Sequence, residues 1–427
     1  MNTYRKFAVI DIGFRLINLL NISKMQRILF FLLGFMISLN VCSQEKLVNA
    51  NNSFAFKIYK STIPDTSNFF ISPFSLNIAL SIANEGAKST TRTEIDNLLF
   101  IHDSSHRDVL YNNLINKTIN LHDSDYYRCI EWQNSNSDGN TLYLANSLWI
   151  NSAFSIDKKY KQTIQEKYYS EFFAFNKNNI SAADQEINNW ISKKTHFKIK
   201  EISGLNPDAM LCIINAIYFQ GEWESSFDKD KTKKKNFSAI TKGKIKIDFM
   251  NDKSNYRYFE DDDLQALFLP YTCDQFSMIV LLPQEKYGIE KIESMMSPEY
   301  MSTIEQTSAW HEVILSLPKF RIETELFLKD HLIRMGFGEM FSDKADFSGI
   351  SERDSLKIEK IIHKTFIEID EVKTEAAAVS KIEGVLTGYS GGDPPPVPKI
   401  FNANHPFAFL IIDNRTNAII FIGRFVR

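Results

Sequence analysis

Residues 374–388 read TEAAAVSKIEGVLTG, and their alternation is the most informative pattern in this chain of 427 residues. Side chains of an extended strand point alternately to opposite faces. One face would hold only small or apolar side chains: Thr374, Ala376, Ala378, Ser380, Ile382, Gly384 and Leu386. The other face would hold every charge, with the members Lys373, Glu375, Ala377, Val379, Lys381, Glu383 and Val385. The pattern predicts a strand with one buried face.

The same stretch lies in a segment with the composition of a loop. It follows the alternating strand Phe366–Ile369 and runs into GYSGGDPPPVP at residues 388–398, ahead of another strand. A Gly/Pro-rich stretch between strands is typical of a long exposed loop, and such loops are usually functional. A plain surface loop with a helical, Ala-rich start is the alternative from composition alone. Together the two patterns indicate a loop that can become a strand.

The rest of the chain mixes helical and extended patterns, which predicts the α+β class. Helices are predicted at Leu47–Lys60, from the Ser72-Pro73 start through Ala83, at Thr91–Leu99 and at Ala183–Lys194. Strands are predicted at Asn68–Ile71, Thr141–Ile150, Met210–Phe219, Leu264–Leu269, Ser277–Leu282 and Val313–Leu317, with a final hairpin of Phe407–Ile412 and Ala418–Phe425. Ser at the cap and Pro in the first turn are a typical helix start.

The composition and the missing motifs of the chain argue against several classes of function. The chain is 44% hydrophobic and 24% charged, as in a globular protein with a large core, and its net charge of -3 gives no reason to expect a nucleic-acid partner. Glycine is scarce and no linker is evident, so residues 44–427 are expected to form one domain. The motifs GxSxG and HExxH, a P-loop and a dinucleotide fingerprint are all missing from the sequence, which argues against an enzyme.

The cysteines predict no metal or disulfide chemistry. They are Cys42, Cys129, Cys212 and Cys273, without a CxxC pair or a His/Cys cluster. We therefore expect neither a zinc site nor a disulfide framework. No cofactor is expected either.

Residues 1–43 have the parts of a secretory signal peptide. Met25 opens a run in which Arg27 precedes the apolar stretch 28–39 and small residues follow, so cleavage is expected after Ser43, and Met25 is a candidate for the true start. About a dozen apolar residues are short for a membrane span, which needs roughly 20. A helical anchor, or a lipid anchor through Cys42, is the competing interpretation.

Short motifs in a fixed order carry a resemblance that covers nearly all of residues 44–427. They are Asn68 with Ser72-Pro73-Phe74-Ser75-Leu76; Gly86-Ala87 with Thr91 and Glu94-Ile95; Ala145-Asn146-Ser147-Leu148-Trp149; Ile187-Asn188-Asn189-Trp190-Ile191; Thr195 with Lys198-Ile199; the run Asn215–Trp223; Leu317-Pro318-Lys319-Phe320; Thr374-Glu375-Ala376-Ala377-Ala378; and His405-Pro406-Phe407. In this order they resemble the serpin family. The resemblance implies three β-sheets, about eight or nine helices and an exposed reactive-centre loop at about residues 371–398.

The resemblance also implies a mechanism. A secreted, monomeric suicide inhibitor offers its loop to a serine or cysteine protease, and the cleaved loop inserts into the main sheet before the acyl-enzyme is hydrolysed. About thirteen residues from Thr374 would form a strand of about 45 Å at roughly 3.4 Å per residue. The alternative is a non-inhibitory serpin, with a carrier, storage or chaperone role, whose loop does not insert.

Residue roles follow from the resemblance, position by position. The shutter under the sheet corresponds to Ser72, Ser75, Asn215 and His363. The breach, where the loop enters, corresponds to Trp223, Lys319 and Glu371, with an expected Glu371–Lys319 ion pair. The hinge corresponds to Glu371, Val372, Lys373, Thr374, Glu375, Ala376, Ala377, Ala378, Val379 and Ser380.

Two features depart from the family pattern. Lys373 stands where the family prefers glycine, on the face expected to point outward. The loop is also longer than usual beyond the expected Thr387-Gly388 reactive bond, which leaves Val385, Leu386 and Tyr389 as alternatives. A Thr or Leu at the cleaved position suits elastase-like, subtilisin-like or papain-like proteases rather than trypsin-like ones.

Charge clusters elsewhere have ordinary interpretations. The lysines between Lys229 and Lys246 fit a solvated hairpin edge better than a polyanion site, and Glu260-Asp261-Asp262-Asp263 fits a turn better than a calcium site.

Overall fold

The computed structural model describes residues 44–101, 107–119, 127–129, 131, 139–202, 204–206, 209–371 and 397–427. The described residues from Val48 to Arg427 belong to one compact unit, and residues 44–47, which are helical, belong to a second. The proposed signal peptide and Cys42 lie outside the described residues. No helix in the described ranges is both long and apolar enough to cross a bilayer.

Nine helices of seven or more residues occur in the described part of the chain. They are α1 (residues 44–62), α2 (Pro73–Gly86), α3 (Ser89–Leu98), α4 (Arg107–Ile119), α5 (Lys158–Tyr168), α6 (Ile180–Lys194), α7 (Ile289–Met295), α8 (Pro298–Thr307) and α9 (Leu328–Arg334). The start of α2 follows from its sequence, because the Oγ of Ser72 accepts a hydrogen bond from the backbone N–H of Ser75 at 3.2 Å and Pro73 fills the first turn.

The strands form two sheets. They are β1 (Phe69–Ile71), β2 (Thr141–Asn151), β3 (Glu171–Phe175), β4 (Leu211–Gln220), β5 (Lys233–Ala239), β6 (Gly243–Glu260), β7 (Leu264–Pro270), β8 (Phe276–Pro283), β9 (Ala309–Pro318), β10 (Phe320–Phe327), β11 (Ile358–Ile369), β12 (Lys399–Asn402), β13 (Phe407–Asp413) and β14 (Ala418–Phe425). The nine-stranded sheet has the order β1-β14-β13-β8-β7-β6-β9-β12, with β5 paired to β6. The five-stranded sheet has the order β10-β11-β4-β2-β3.

These elements confirm the predicted α+β class and the helices and strands predicted along the sequence. The sheet count differs, because the described residues form two sheets where three were expected. The reason is the length of β6: its 18 residues pair with β5 through residues 243–249, with β9 through residues 249–258 and with β7 through residues 257–260. One continuous strand therefore joins two ladders into a single sheet.

The five-stranded sheet is covered on both faces. On one face α6 and the segment after it pack on the sheet through Ile187, Trp190 and Ile199. Trp149 of β2 stacks on Phe173 of β3 with ring centroids 4.3 Å apart. On the other face the N-terminus of α2 meets β4. Since both faces are covered, β4 is apolar almost throughout and only its last residue is exposed.

The expectation that the cysteines form no disulfide is wrong. Cys129 and Cys273 are bonded to each other across 144 positions of sequence, with their Cα atoms 5.9 Å apart. Neither cysteine has another cysteine nearby in sequence, so only the fold brings them together. Cys212 is a free, buried thiol in β4.

Candidate functional site: the seam between β11 and β4

The central feature is a seam, which we define as the junction between β11 and β4. The two strands are parallel, and their register runs from Ile358↔Leu211 to Phe366↔Tyr218. β11 pairs antiparallel with β10 on its other side, and β4 pairs antiparallel with β2. β11 is followed by Asp370 and Glu371 and then by the segment 372–396, which is therefore joined to one end of the seam.

The direction of the two strands determines how a segment inserted between them would pair. A segment that leaves β11 and turns back runs antiparallel to β11. Because β4 is parallel to β11, the same segment would also be antiparallel to β4. Insertion would therefore replace one parallel ladder by two antiparallel ladders, which are slightly more stable per residue.

A polar cluster crosses the middle of the seam. We call Ser72, Ser75, Asn215 and His363 the shutter cluster, and the structure brings all of them together. His363 of β11 and Asn215 of β4 face each other in register. His363 Nδ1 lies 2.5 Å from Asn215 Oδ1, and the backbone N–H of Ser72 donates to His363 Nε2 at 3.0 Å. Asn215 Nδ2 donates to the backbone carbonyl of Ser75 at 3.2 Å and to the Ser75 hydroxyl.

The proton on His363 can be assigned from its partners. The backbone N–H of Ser72 can only donate, so Nε2 accepts and the neutral ring carries its proton on Nδ1, from which it donates to Asn215. His363 is fully buried, and burial lowers its pKa from the ordinary 6.5 to about 3. The ring is therefore neutral at physiological pH, and it joins the two strands and the start of α2 through hydrogen bonds alone.

Asn146 of β2 is a further member of this polar layer; it belongs to the resemblance motif Ala145–Trp149 but was not among the predicted site residues. It lies in register with Asn215, and its Oδ1 accepts a hydrogen bond from Asn215 Nδ2 at 2.5 Å. Its side chain is almost completely buried. The available signal was an asparagine within the strand pattern 141–150, since buried polar side chains are normally hydrogen-bonded. The layer thus spans β2, β4 and β11.

A second cluster lies at the end of the seam where β11 leads into residues 372–396. We call Trp223, Lys319 and Glu371 the breach cluster. Lys319 Nζ donates to Glu371 Oε2 at 2.5 Å, so the expected contact is present in the structure. Trp223 Nε1 donates to the backbone carbonyl of Asp370 at 2.9 Å. These contacts hold Asp370 and Glu371, the two described residues that follow β11, against Trp223 and Lys319.

Glu371 is the electrostatic centre of the breach cluster. Only 3% of its surface is exposed, and its Oε1 also accepts a hydrogen bond at 2.5 Å from Thr232, a residue not identified from sequence. Burial alone would raise the pKa of Glu371, but the hydrogen bonds from Lys319 and Thr232 outweigh it and hold the pKa below its ordinary value. The carboxylate is thus charged at neutral pH, and its charge is compensated by Lys319.

The segment after α6 covers the outer face of the seam near the breach cluster. Lys198 Nζ lies 5.8 Å from the Tyr218 ring centroid and 5.7 Å from that of Phe366, the last pair of the seam. It also lies 3.8 Å from Glu368 Oε2. At the other end, Lys360 Nζ donates to the backbone carbonyl of Gly204 at 2.6 Å. These contacts lie across the seam on its outer face.

The remaining site residues lie outside the described part of the chain. They are the hinge residues Val372, Lys373, Thr374, Glu375, Ala376, Ala377, Ala378, Val379 and Ser380, and the reactive-bond residues Val385, Leu386, Thr387, Gly388 and Tyr389. Only Glu371 of the hinge is described.

Comparison with known proteins agrees with this geometry. Residues 49–427 match the family model described as serpin (serine protease inhibitor). Intracellular coagulation inhibitor 2 of Tachypleus tridentatus is 31% identical over 89% of this chain and 91% of its own length. The crystal structure of tengpin, a thermophilic serpin in the native state, superposes with a TM-score of 0.76 at 28% identity, over 90% of this chain and 94% of tengpin. Human thyroxine-binding globulin, solved in complex with thyroxine, gives 0.73 at 26% identity, over 90% of this chain and 99% of the globulin. The chain belongs to the serpin family.

Proposed function

We propose that this serpin inhibits a serine or cysteine endopeptidase by inserting its cleaved loop into the seam between β11 and β4. The observation that carries the proposal is the parallel pairing of these two strands directly before the segment 372–396. The alternation of small and charged side chains from Lys373 to Leu386 supports it, because an inserted strand needs one buried face. A loop that never enters the sheet has no need of that face.

The chemical step belongs to the protease. Its serine or cysteine attacks the carbonyl carbon of the reactive bond, expected at Thr387-Gly388, and releases a new amino terminus while the acyl group stays on the enzyme. Hydrolysis of that ester or thioester would free the protease. Insertion has to be faster than hydrolysis, and it gains free energy by extending the sheet on both sides of the new strand.

The two clusters along the seam would set how easily the strands part. Insertion breaks the parallel ladder and the His363–Asn215 hydrogen bond, and it begins where Glu371 and Trp223 fasten the breach. Buried polar groups have to regain partners afterwards, since each unsatisfied one costs about 1–3 kcal/mol. These contacts therefore hold the uninserted state until cleavage releases the loop.

Secretion is part of the proposal. Residues 1–43 have the pattern of a signal peptide, and a disulfide such as Cys129–Cys273 is typical of an oxidising compartment. A lipid anchor through Cys42 is the competing route to the same side of the membrane. The protein is proposed to act as a monomer on a protease that accepts a Thr or Leu at the cleaved position.

A matched pair of variants tests the proposal. Ala376 and Ala377 are neighbours of identical chemistry on opposite faces of the predicted strand. We expect Ala376→Arg, which places a charge on the buried face, to abolish a protease complex that survives SDS while the loop is still cleaved. Ala377→Arg should keep the complex. Subtilisin, elastase and papain are the proteases to use, at substoichiometric amounts.

The alternative function is that of a serpin whose loop does not insert. Thyroxine-binding globulin is a fold relative that binds a small molecule, and Lys373 in the hinge is the feature of this chain that favours the alternative. Cleavage of the wild-type loop without a complex, and without a rise in thermal stability, would replace the inhibitor proposal by this one.

A further inference from the structure

The Cys129–Cys273 disulfide is attached to an element that touches the breach cluster. Cys273 lies in the turn between β7 and β8, which we call the brace turn (residues 271–275). Cys129 lies in the described stretch 127–129, ahead of β2. Both cysteines are partly exposed, so solvent reductants can reach the bond. Cys212 is buried, and burial raises its pKa to about 12, which keeps this third thiol out of exchange.

The brace turn packs directly on the breach tryptophan. The Tyr271 ring stacks on the Trp223 ring with centroids 4.5 Å apart and planes inclined by 9°. The Nε1–H of the same indole donates a hydrogen bond to the carbonyl of Asp370 at 2.9 Å. Trp223 is thus held between the brace turn and the chain that leads into the loop.

Hydrogen bonds tie the same turn to the ends of two sheet strands. The backbone N–H and the hydroxyl of Thr272 both donate to the carbonyl of Glu222, at 2.7 and 3.0 Å, just beyond β4. Asn140, directly before β2, donates from Nδ2 to the carbonyl of Thr272 at 2.9 Å. Its Oδ1 accepts from the Glu222 N–H at 3.3 Å. The turn therefore holds the ends of β2 and β4 together beside the breach.

The backbone of the turn is held in an uncommon conformation. Cys273 and Asp274 are consecutive non-glycine residues with φ of +59° and +50°. Such residues are uncommon and persist where the surrounding structure constrains them. The disulfide at the first of the two residues is one such constraint, next to Tyr271 and Thr272.

We propose that Cys129–Cys273 is a redox site that braces the breach. In the reaction, a dithiol reductant exchanges with the disulfide: the S–S bond breaks, each cysteine sulfur gains a proton, and the reductant is oxidised to its own disulfide. The reduced protein keeps its fold, but the brace turn and the Trp223–Asp370 contact open more often. The brace acts on the breach whether or not the loop goes on to trap a protease.

Hydrogen exchange of the purified protein, with and without dithiothreitol, tests the proposal. The reporters are the N–H of Thr272 and that of Glu224, which donates to the carbonyl of Pro270 at 3.0 Å. We expect their exchange to accelerate about tenfold or more on reduction, while amides of the β13–β14 hairpin stay within about twofold. The double variant Cys129→Ser/Cys273→Ser should match the reduced wild type and not respond to dithiothreitol. If the variant does not fold, the reduced and oxidised wild type decide the question.

Three results would overturn the proposal. Unchanged exchange of Thr272 and Glu224 after complete reduction would show that the disulfide does not brace the breach. Equal acceleration in the β13–β14 hairpin would show a general staple of the fold instead of a local brace. Mass spectrometry of the untreated protein that finds Cys129 and Cys273 as free thiols would remove the site itself.

Discussion

His363 should couple the stability of the protein to pH, and His363→Gln should remove that coupling. The ring is buried, accepts from the Ser72 N–H and donates to Asn215, and its pKa is lowered by burial to about 3. In the unfolded chain the same ring titrates at its ordinary pKa of about 6.5. Between these two values the unfolded state binds a proton that the folded state does not bind. Stability due to a neutral His363 is therefore complete above about pH 6.5 and is lost as the pH falls toward 3.

The size of the effect follows from the two pKa values. Lowering the pH from about 7.5 to about 5 protonates nearly all unfolded chains at this position and almost none of the folded ones, which costs about 2 kcal/mol. This is roughly a 30-fold change in the unfolding equilibrium. Burial also lowers the pKa of His405, which therefore acts in the same direction. The variant is needed to separate the contribution of His363 from that of His405.

Urea unfolding of the wild type and of His363→Gln, at pH 7.5 and pH 5, measures the coupling. Glutamine does not titrate, and it leaves part of the shutter cluster unsatisfied, so the variant should be less stable by about 2–4 kcal/mol at pH 7.5. Its further loss on going to pH 5 should be smaller than that of the wild type by about 2 kcal/mol. Equal losses in the two proteins would refute a neutral, buried His363 as the source of the pH dependence.

Three further substitutions probe the seam. Asn146→Ala removes one acceptor of Asn215 Nδ2, which keeps Ser75 as a partner, and should lower the free energy of unfolding by about 1 kcal/mol in a urea titration. A loss below about 0.3 kcal/mol would contradict the place of Asn146 in the polar layer. Glu371→Gln keeps a partner for Thr232 but loses the charge opposite Lys319, whose side chain is 36% exposed. The free energy of unfolding should therefore fall by only about 1 kcal/mol, measured from the urea midpoint. An unchanged midpoint would show that the ion pair does not stabilise the breach. Lys373→Gly should bring the stoichiometry of inhibition closer to one serpin per protease, measured by titrating residual protease activity. An unchanged stoichiometry would mean that Lys373 does not slow insertion.

Much of the fold could be predicted from local patterns. The cap Ser72 followed by Pro73 is sufficient to locate the start of α2, and the apolar run of β4 indicates a strand covered on both faces. What could not be predicted depends on pairing between distant residues. The parallel register of β11 and β4 joins residues about 150 positions apart. Likewise β6 joins two ladders because it pairs with both β7 and β9, which the sequence of β6 alone does not indicate.

The candidate site likewise contains residues that could be predicted from the sequence and residues that could not. His363, Asn215 and the breach residues could be assigned because a resemblance names their positions. Asn146 lies within a motif of the resemblance but was given no role there, and Thr232 lies directly before β5, outside every predicted strand. Cys129 and Cys273 lack the close spacing that marks a disulfide framework, and their bond depends on how the brace turn packs beside the breach.

A crystal structure of the loop-cleaved protein tests loop insertion through the separation of β11 and β4. In the structure described here the strands are neighbours, with Ile361↔Ile213 and His363↔Asn215 in register. If the cleaved loop inserts, residues from Thr374 onward form a new strand between them, and the strand separation rises from about 4.8 Å to about 9.6 Å. Cleaved protein in which β11 and β4 remain directly paired in the same register would contradict loop insertion.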